Sequence, residues 1–307
     1  MTYTLNQLKI FLQVVESQSI TKAAEALFLT QPAVSIQLKK FQDQFPIALT
    51  EVIGRQLFIT EFGKEIAKAA EKILTEVEAI EYRSMTFKNL LAGKLKISVA
   101  STGKYVMPYF LSEFINAHRG IDLVMDVTNK TLVVKSLEEN QVDFSLVSVV
   151  PNELKTDQLP LLRNKLYLIG STKFKNKKPK NTKDIFKDYP LLFREQGSAT
   201  RNAMEQFIEE KNIPVFKKIE LTSNEAVKQA VIAGLGYSIM PLIGIKDALK
   251  NKELEIIPFK GLPIISNWNL VWLKSKKLSP AANGFLEFLK KEKDRIKTEV
   301  FDWYERY

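Results

Sequence analysis

The sequence contains no cysteine and a single histidine, His118, in 307 residues. Without thiols there can be no disulfide framework and no thiolate metal site, a composition that fits a reducing cytosol. One imidazole leaves no multi-histidine metal centre and no recognisable histidine relay, so no metal and no cofactor is expected. No apolar run approaches the roughly 18 residues of a membrane span. The opening Met1-Thr2-Tyr3-Thr4 lacks the charged-then-apolar order of a signal peptide. A cytoplasmic protein with no membrane partner is therefore expected. Catalytic signatures are scarce too. There is no Gly-x-Ser-x-Gly elbow and no phosphate loop, and Gly234-Leu235-Gly236 precedes an expected strand instead of following one. The chain does not read as an enzyme.

Positive charge is what it has in excess: 45 Lys+Arg against 35 Asp+Glu, a net +10. Residues 1–62 nevertheless carry five bases and five acids, and residues 63–92 again five and five. The whole excess falls in the last 215 residues, with nine bases against Asp184 alone in 163–187. Charge therefore does not locate a nucleic-acid surface. The lysine-rich stretch 173–187 reads as a solvated loop and helix face.

Residue order in the first sixty positions is more informative. Leu5, Leu8, Phe11, Leu12 and Val15 recur at helical spacing. A short second helix follows, with Ser19 placed to cap it, and Thr30-Gln31-Pro32 opens a third that runs to about Phe45. Val34, Leu38 and Phe41 would face inward. This is the layout of a helix-turn-helix, whose second helix offers its first residues to the major groove. Gln31 suits an adenine edge, Pro32 and Ile36 a thymine methyl, and Ser35 a base or phosphate. Ser19, Thr21, Lys22, Thr30 and Lys39 suit phosphates or the register of docking. A three-helix bundle without a nucleic-acid role remains the alternative at this point.

The run Leu8…Phe11…Val14…Ala23-Ala24…Leu27…Thr30-Gln31-Pro32-Ala33-Val34-Ser35…Gln37-Leu38 resembles the N-terminal signature of LysR-type transcriptional regulators. The segment Leu49 to Gly63 resembles that family's wing, with Val52 and Ile36 standing where the family commonly carries arginine. Arg55 is then the wing's guanidinium, which implies few phosphate contacts and a shallow salt dependence.

From Gly63 to about Ala92 no proline or glycine interrupts the chain. Ile66, Ala70, Ile73, Val77, Ile80, Ser84, Phe87 and Leu91 alternate in steps of four and three, a heptad seam broken once by Ser84. The seam predicts a dimerisation helix that sets two DNA-binding units at a fixed spacing on a partly palindromic operator, the alternative being a long helix packed on its own domain. The resemblance implies the same use of this segment.

Beyond Gly93 strands alternate with helices: Leu95–Val99, a helix with Phe110, Leu111 and Phe114, then Leu123–Val127, Leu132–Glu139 and Phe144–Val150. Lys165–Ile169, Ala199–Lys211, Lys217–Leu221, Asn224–Ala233, Tyr237–Met240, Asn267–Leu273 and a helix from Ser279 continue the rhythm. Parallel α/β layers are expected. Hydroxyl, amide and glycine residues fall where ligands of such sheets collect, at strand ends and helix mouths. These are Ser101, Thr102, Thr128, Asn129, Ser148, Gly197, Ser198 and Thr200. Gly197-Ser198-Ala199-Thr200-Arg201 is similar to a Gly-Ser-Gly-Thr-Arg segment of the family, with Ala199 in place of the middle glycine. Amides and hydroxyls at a helix mouth suit a small anionic effector. His118, Trp268, Trp272 and the segment 285–288 read as helix ending or packing.

The expected architecture is an α+β multidomain chain. It has a winged helix-turn-helix at 1–62, a linker helix at 63–92, and a two-lobed α/β effector domain of periplasmic-binding-protein type at 93–307. By the resemblance, lobe I comprises 93–162 and 265–307, and lobe II 163–264. The expected function is a homodimeric or homotetrameric, effector-responsive transcription regulator on double-stranded DNA. A solute-binding protein without a DNA role is the alternative.

Overall fold

The computed structural model describes residues 3–54, 56–86, 91–173 and 185–307. Arg55, Phe87 and residues 174–184 of the lysine-rich stretch lie outside them. The chain divides into two units, Met1–Leu90 and Leu91–Tyr307.

The first unit holds α1 (Leu5–Ser17), α2 (Ile20–Ala26), α3 (Gln31–Gln42), the wing strands β1 (Thr50–Ile53) and β2 (Gln56–Ile59), and α4 (Glu61–Thr86). A capping box starts α1: the Thr4 hydroxyl accepts from the Gln7 amide while Gln7 Oε1 accepts from the Thr4 amide. Leu8, Ile10, Phe11 and Val14 bury one face of α1 against Ala23, Ala24, Val34, Leu38 and Phe41. Leu5, expected in this stripe, is instead 44% exposed in the first turn.

Helix α3 stops at Gln42, three residues before the expected Phe45. Two local causes are visible. The Gln42 side-chain Oε1 accepts from the Thr50 amide at 3.0 Å and hydroxyl at 2.6 Å, tying the helix end to the first wing strand, and Pro46 disfavours helical backbone at Phe45. Phe45 then packs its ring on Tyr3, Phe41 and Phe62 at 5.1 to 6.1 Å.

Helix α4 begins at Glu61, two residues before the expected Gly63, because the Thr60 hydroxyl accepts from the Gly63 amide at 2.9 Å. Two members of the expected dimer seam have another task. Ala70 is 1% exposed and Ile66 is half-buried, both against the core of this same unit. A third, Leu91, packs into the second unit, where Gly284 lies against its side chain. Ala92 opens a strand and is not helical. Further along α4, Ile73 is 39% and Ile80 64% exposed.

The second unit starts with β3 (Ala92–Ala100), a 3-10 turn over Ser101–Tyr105, α5 (Met107–Ala117), β4 (Gly120–Thr128), α6 (Lys130–Glu138) and β5 (Phe144–Val147). Next come β6 (Thr156–Ser171), α7 (Ile185–Asp188), β7 (Pro190–Arg194), α8 (Ala199–Glu210), β8 (Lys217–Leu221) and α9 (Asn224–Ala233). The chain closes with β9 (Ser238–Pro241), α10 (Lys246–Lys250), β10 (Leu254–Ile256), β11 (Ile264–Leu273) and α11 (Pro280–Phe301).

The main sheet runs β10-β6-β11-β5-β3-β4, with β9 also on β6. Strands β3, β4 and β5 are parallel, as the alternating pattern implies, but β11 is antiparallel to both β5 and β6. The sheet is therefore mixed. The reason is that β6 spans 16 residues, where only Lys165–Ile169 was expected, and β11 returns along it. Together they form the long antiparallel ribbon of the sheet. In the second lobe the parallel pair β7-β8 joins the rest through a bridge between Leu191 and Tyr237.

Trp268 (1% exposed) sits in the large core with Phe110, Phe114, Phe144 and Phe285, and a separate cluster around Phe186, Phe193 and Tyr237 fills the second lobe. His118 ends α5, its Nδ1 2.8 Å from the Phe114 carbonyl. Gly234, at φ 87°, closes α9 in the left-handed conformation.

All three tryptophans (Trp268, Trp272, Trp303) belong to the second unit. Phe41→Ala empties a fully buried ring site and is expected to cost the first unit about 3–5 kcal/mol. Urea titration should then shift an early helical circular-dichroism transition while the tryptophan-fluorescence transition stays in place.

Candidate functional site

The first candidate surface is built by α3 and the turn before it. The hydroxyls of Ser19 and Thr30 cap α2 and α3, accepting from the amides of Lys22 (3.3 Å) and Ala33 (3.4 Å). Each keeps its own O–H to donate outward. Val34, Leu38 and Phe41 bury one side of α3, which leaves Gln31, Pro32 and Ile36 exposed and Ser35 half-buried on the other. Thr21, Lys22 and Lys39 are exposed as well. A side-chain pair that the sequence did not suggest fixes this helix: Gln7 Nε2 donates to Gln37 Oε1 at 3.3 Å and ties α1 to α3. The turn carries a second surprise. Phe28 is 96% exposed and holds a left-handed φ of 54°, a conformation bulky side chains rarely adopt.

The second candidate surface lies between the two lobes. Ser101 and Thr102 follow β3, Thr128 ends β4 with Asn129 after it, and Ser148 follows β5, all on one lobe. Gly197, Ser198 and Thr200 stand at the mouth of α8 on the other. Thr102, Ser148 and Ser198 are buried, the other hydroxyl residues half-buried. Asn129 is spent on its own helix, its Oδ1 accepting from the Leu132 amide at 3.0 Å. Ser198 occupies the N-cap position of α8 without making a capping bond.

Contact between the lobes is direct. Ser101 Oγ accepts from Arg194 Nη1 at 3.1 Å and from Asn224 Nδ2 at 2.8 Å. Tyr105 donates to Glu225 at 3.4 Å, and burial, then Glu225, raises its phenol above the usual value. Beside Gly197 a cavity of about 810 Å³ opens, lined also by Lys130, Thr131, Lys135, Val149 and Asn202. Gly197 is the expected effector residue that borders it among the described residues.

Two family models cover this layout. Residues 5–64 match the bacterial regulatory helix-turn-helix protein of the lysR family, and residues 88–294 match the LysR substrate binding domain. The chain belongs to the LysR family of transcriptional regulators.

The RuBisCO operon transcriptional regulator of Allochromatium vinosum is 35% identical over 312 residues, covering 96% of this chain and 98% of its own. The transcriptional activator CmpR of Synechocystis is 34% identical, covering 93% and 94%. Among solved structures, the CcmR regulatory domain of Synechocystis in complex with 2-PG aligns with a TM-score of 0.59 at 31% identity, over 64% of this chain and 95% of that one. Full-length CbnR bound to its target DNA aligns with a TM-score of 0.68 over 94% and 99%, at 19% identity a likeness of fold. The match over 5–64 sets aside the solute-binding alternative. Among the described residues of this LysR-type regulator, no helix is long and apolar enough to cross a membrane.

The regulator's Arg194, Glu195 and Asn224 escaped the sequence reading, since β7 was not expected and Arg194 ends it. Arg201, by contrast, has a structural task. It donates to the Arg194 carbonyl at 3.0 Å and pairs with Glu205 and Glu220.

Gly197 has φ +81°, and a methyl added there would lie 2.7 Å from Thr131 Oγ1 across the cleft. Gly197→Ala is expected to destabilise the second unit by about 1–2 kcal/mol through the left-handed backbone alone, with the clash adding to it. Tryptophan-monitored urea unfolding measures this. Adding Thr131→Ala should recover the steric part and leave the backbone part.

Proposed function

We propose that this LysR-type regulator reads its operator with Gln31, Pro32, Ser35 and Ile36 in the major groove. Ser19, Thr21, Lys22, Thr30, Lys39 and Arg55 position the duplex through its phosphates. One observation carries this reading: α3 is capped, anchored by its buried side, and free along the side that bears these residues. Such contacts divide naturally into base readers and positioners.

The exposed Ile73 and Ile80 of α4, with Val77 between them, support a homodimeric or homotetrameric assembly on a partly palindromic site. The seam is shorter than the heptad pattern suggested, since Ile66, Ala70 and Leu91 are used elsewhere. A DNA-binding regulator of this kind would work in the cytoplasm.

The inter-lobe cleft is proposed as the site of a small anionic effector, with Ser101, Thr102, Thr128, Ser148, Ser198 and Thr200 around it. The adjoining cavity is lined by Lys130 and Lys135 together with Glu138, Glu139 and Glu153, so it adds no net positive charge, and the preference for an anion rests on the hydroxyls and helix mouths of the cleft itself. The 2-PG bound by the CcmR domain makes 2-PG the first compound to try. Effector binding would shift the balance between lobe arrangements and so the spacing of the paired DNA-binding units.

Gel retardation with the promoter fragment upstream of the regulator's own gene tests the reading. Wild-type protein should retain it specifically at moderate salt. Gln31→Ala should weaken specific retention by about 1–3 kcal/mol, the worth of a lost bidentate base contact, with non-specific binding unchanged. Equal retention by the variant would remove Gln31 from the set of base readers.

A further inference from the structure

Arg194 is 4% exposed at the end of β7, a guanidinium held almost entirely away from water. Its charge is met by the next residue in the chain. Nε donates to Glu195 Oε2 at 2.8 Å and Nη2 to Glu195 Oε1 at 2.8 Å, a two-point carboxylate grip. The Arg194 backbone is fixed by Arg201, whereas Glu195 begins the loop that turns at Gly197. The Glu195 side chain, at 18% exposed, lies outside the guanidinium it covers. An anion bound to these two guanidinium nitrogens would have to take Glu195's place.

Two further groups meet at this point. Ser101 Oγ already accepts from Arg194 and Asn224, so both its lone pairs are engaged and its O–H is left to donate. Asn224, 4% exposed, has its Oδ1 buried and without a hydrogen-bond partner. A buried acceptor left unpaired is costly, and a ligand hydroxyl would satisfy it.

We propose that Arg194, Ser101 and Asn224 form the anion-binding centre of the inter-lobe cleft, and that Glu195 is a built-in counter-anion which the effector displaces. This rests on reading the cleft as an effector site and names the chemistry it takes. The ligand is a small acid, carboxylate or phosphate, that also bears a hydroxyl. The acid group replaces the Glu195 carboxylate on the guanidinium and accepts from Ser101, and the hydroxyl donates to Asn224 Oδ1. One carboxylate partner is exchanged for another, so the exchange is nearly balanced and the added bonds to Ser101 and Asn224 decide it. Because Ser101 stands on one lobe and Arg194 and Asn224 on the other, the ligand binds across the hinge it would control.

Calorimetric titration of the full-length protein with inorganic phosphate, 2-PG and 3-phosphoglycerate tests this in wild type, Glu195→Gln and Arg194→Gln. Removing the internal competitor should tighten acid binding by about tenfold in Glu195→Gln, as expected when a larger fraction of the protein is binding-competent. Arg194→Gln should lose binding of all three acids. If Arg194→Gln fails to fold by circular dichroism, the direction of change in Glu195→Gln decides alone. Acid binding by wild type with unchanged affinity in the variants would overturn this centre while leaving the effector reading intact. Absence of acid binding in wild type would overturn both.

Discussion

The second unit depends on one pairing, that of β6 with β11. The two strands run antiparallel from Leu166 opposite Ile264 to Thr156 opposite Leu273, and their register slips by one residue at Trp268/Asn269. One half of the pair is flanked by β5 and the other by β9 and β10. Both lobes therefore hang on the same ladder. The slip, which increases local twist, sits where Trp268 is buried in the core beneath the 3-10 turn that begins at Ser101. The backbone hydrogen bonds that fold the lobes are the same ones that limit how they can move. Ser101 and Arg194, which lie on either side of this ribbon, are joined by a hydrogen bond of 3.1 Å.

In the DNA-binding unit the corresponding constraint is capping. Thr4, Ser19, Thr30 and Thr60 each satisfy an orphan amide at a helix start. These bonds fix where each helix begins, and so which residues of α3 lie at its free end. Burial of Val34, Leu38 and Phe41 then sets its rotation.

Much of this was legible in the sequence, for identifiable reasons. Helices and strands with their own local signals were placed closely. Lys217–Leu221 and Asn224–Ala233 coincide with β8 and α9, and the helix expected from Ser279 is α11, which Ser279 caps. Elements governed by distant partners were not. Only the β11 ladder extends β6 to 16 residues, and periodicity cannot reveal that. The heptad run through Ile66, Ala70 and Leu91 was real as a pattern, but an apolar stripe does not say which surface it meets. The first two residues meet their own unit's core and the last meets Gly284. The cleft was found as a set of strand and helix ends. Its charged centre was not, since an Arg-Glu dipeptide after a short apolar run carries no motif. What distinguishes Arg194 is burial, a property of the folded chain.

The link between cleft and DNA is tested most directly by footprinting the full-length protein on its promoter with and without a small acid such as 2-PG or 3-phosphoglycerate. A protected region whose length or spacing changes when the acid is added is expected if lobe rearrangement moves the paired reading helices. A footprint that is specific yet identical at saturating acid would contradict that coupling.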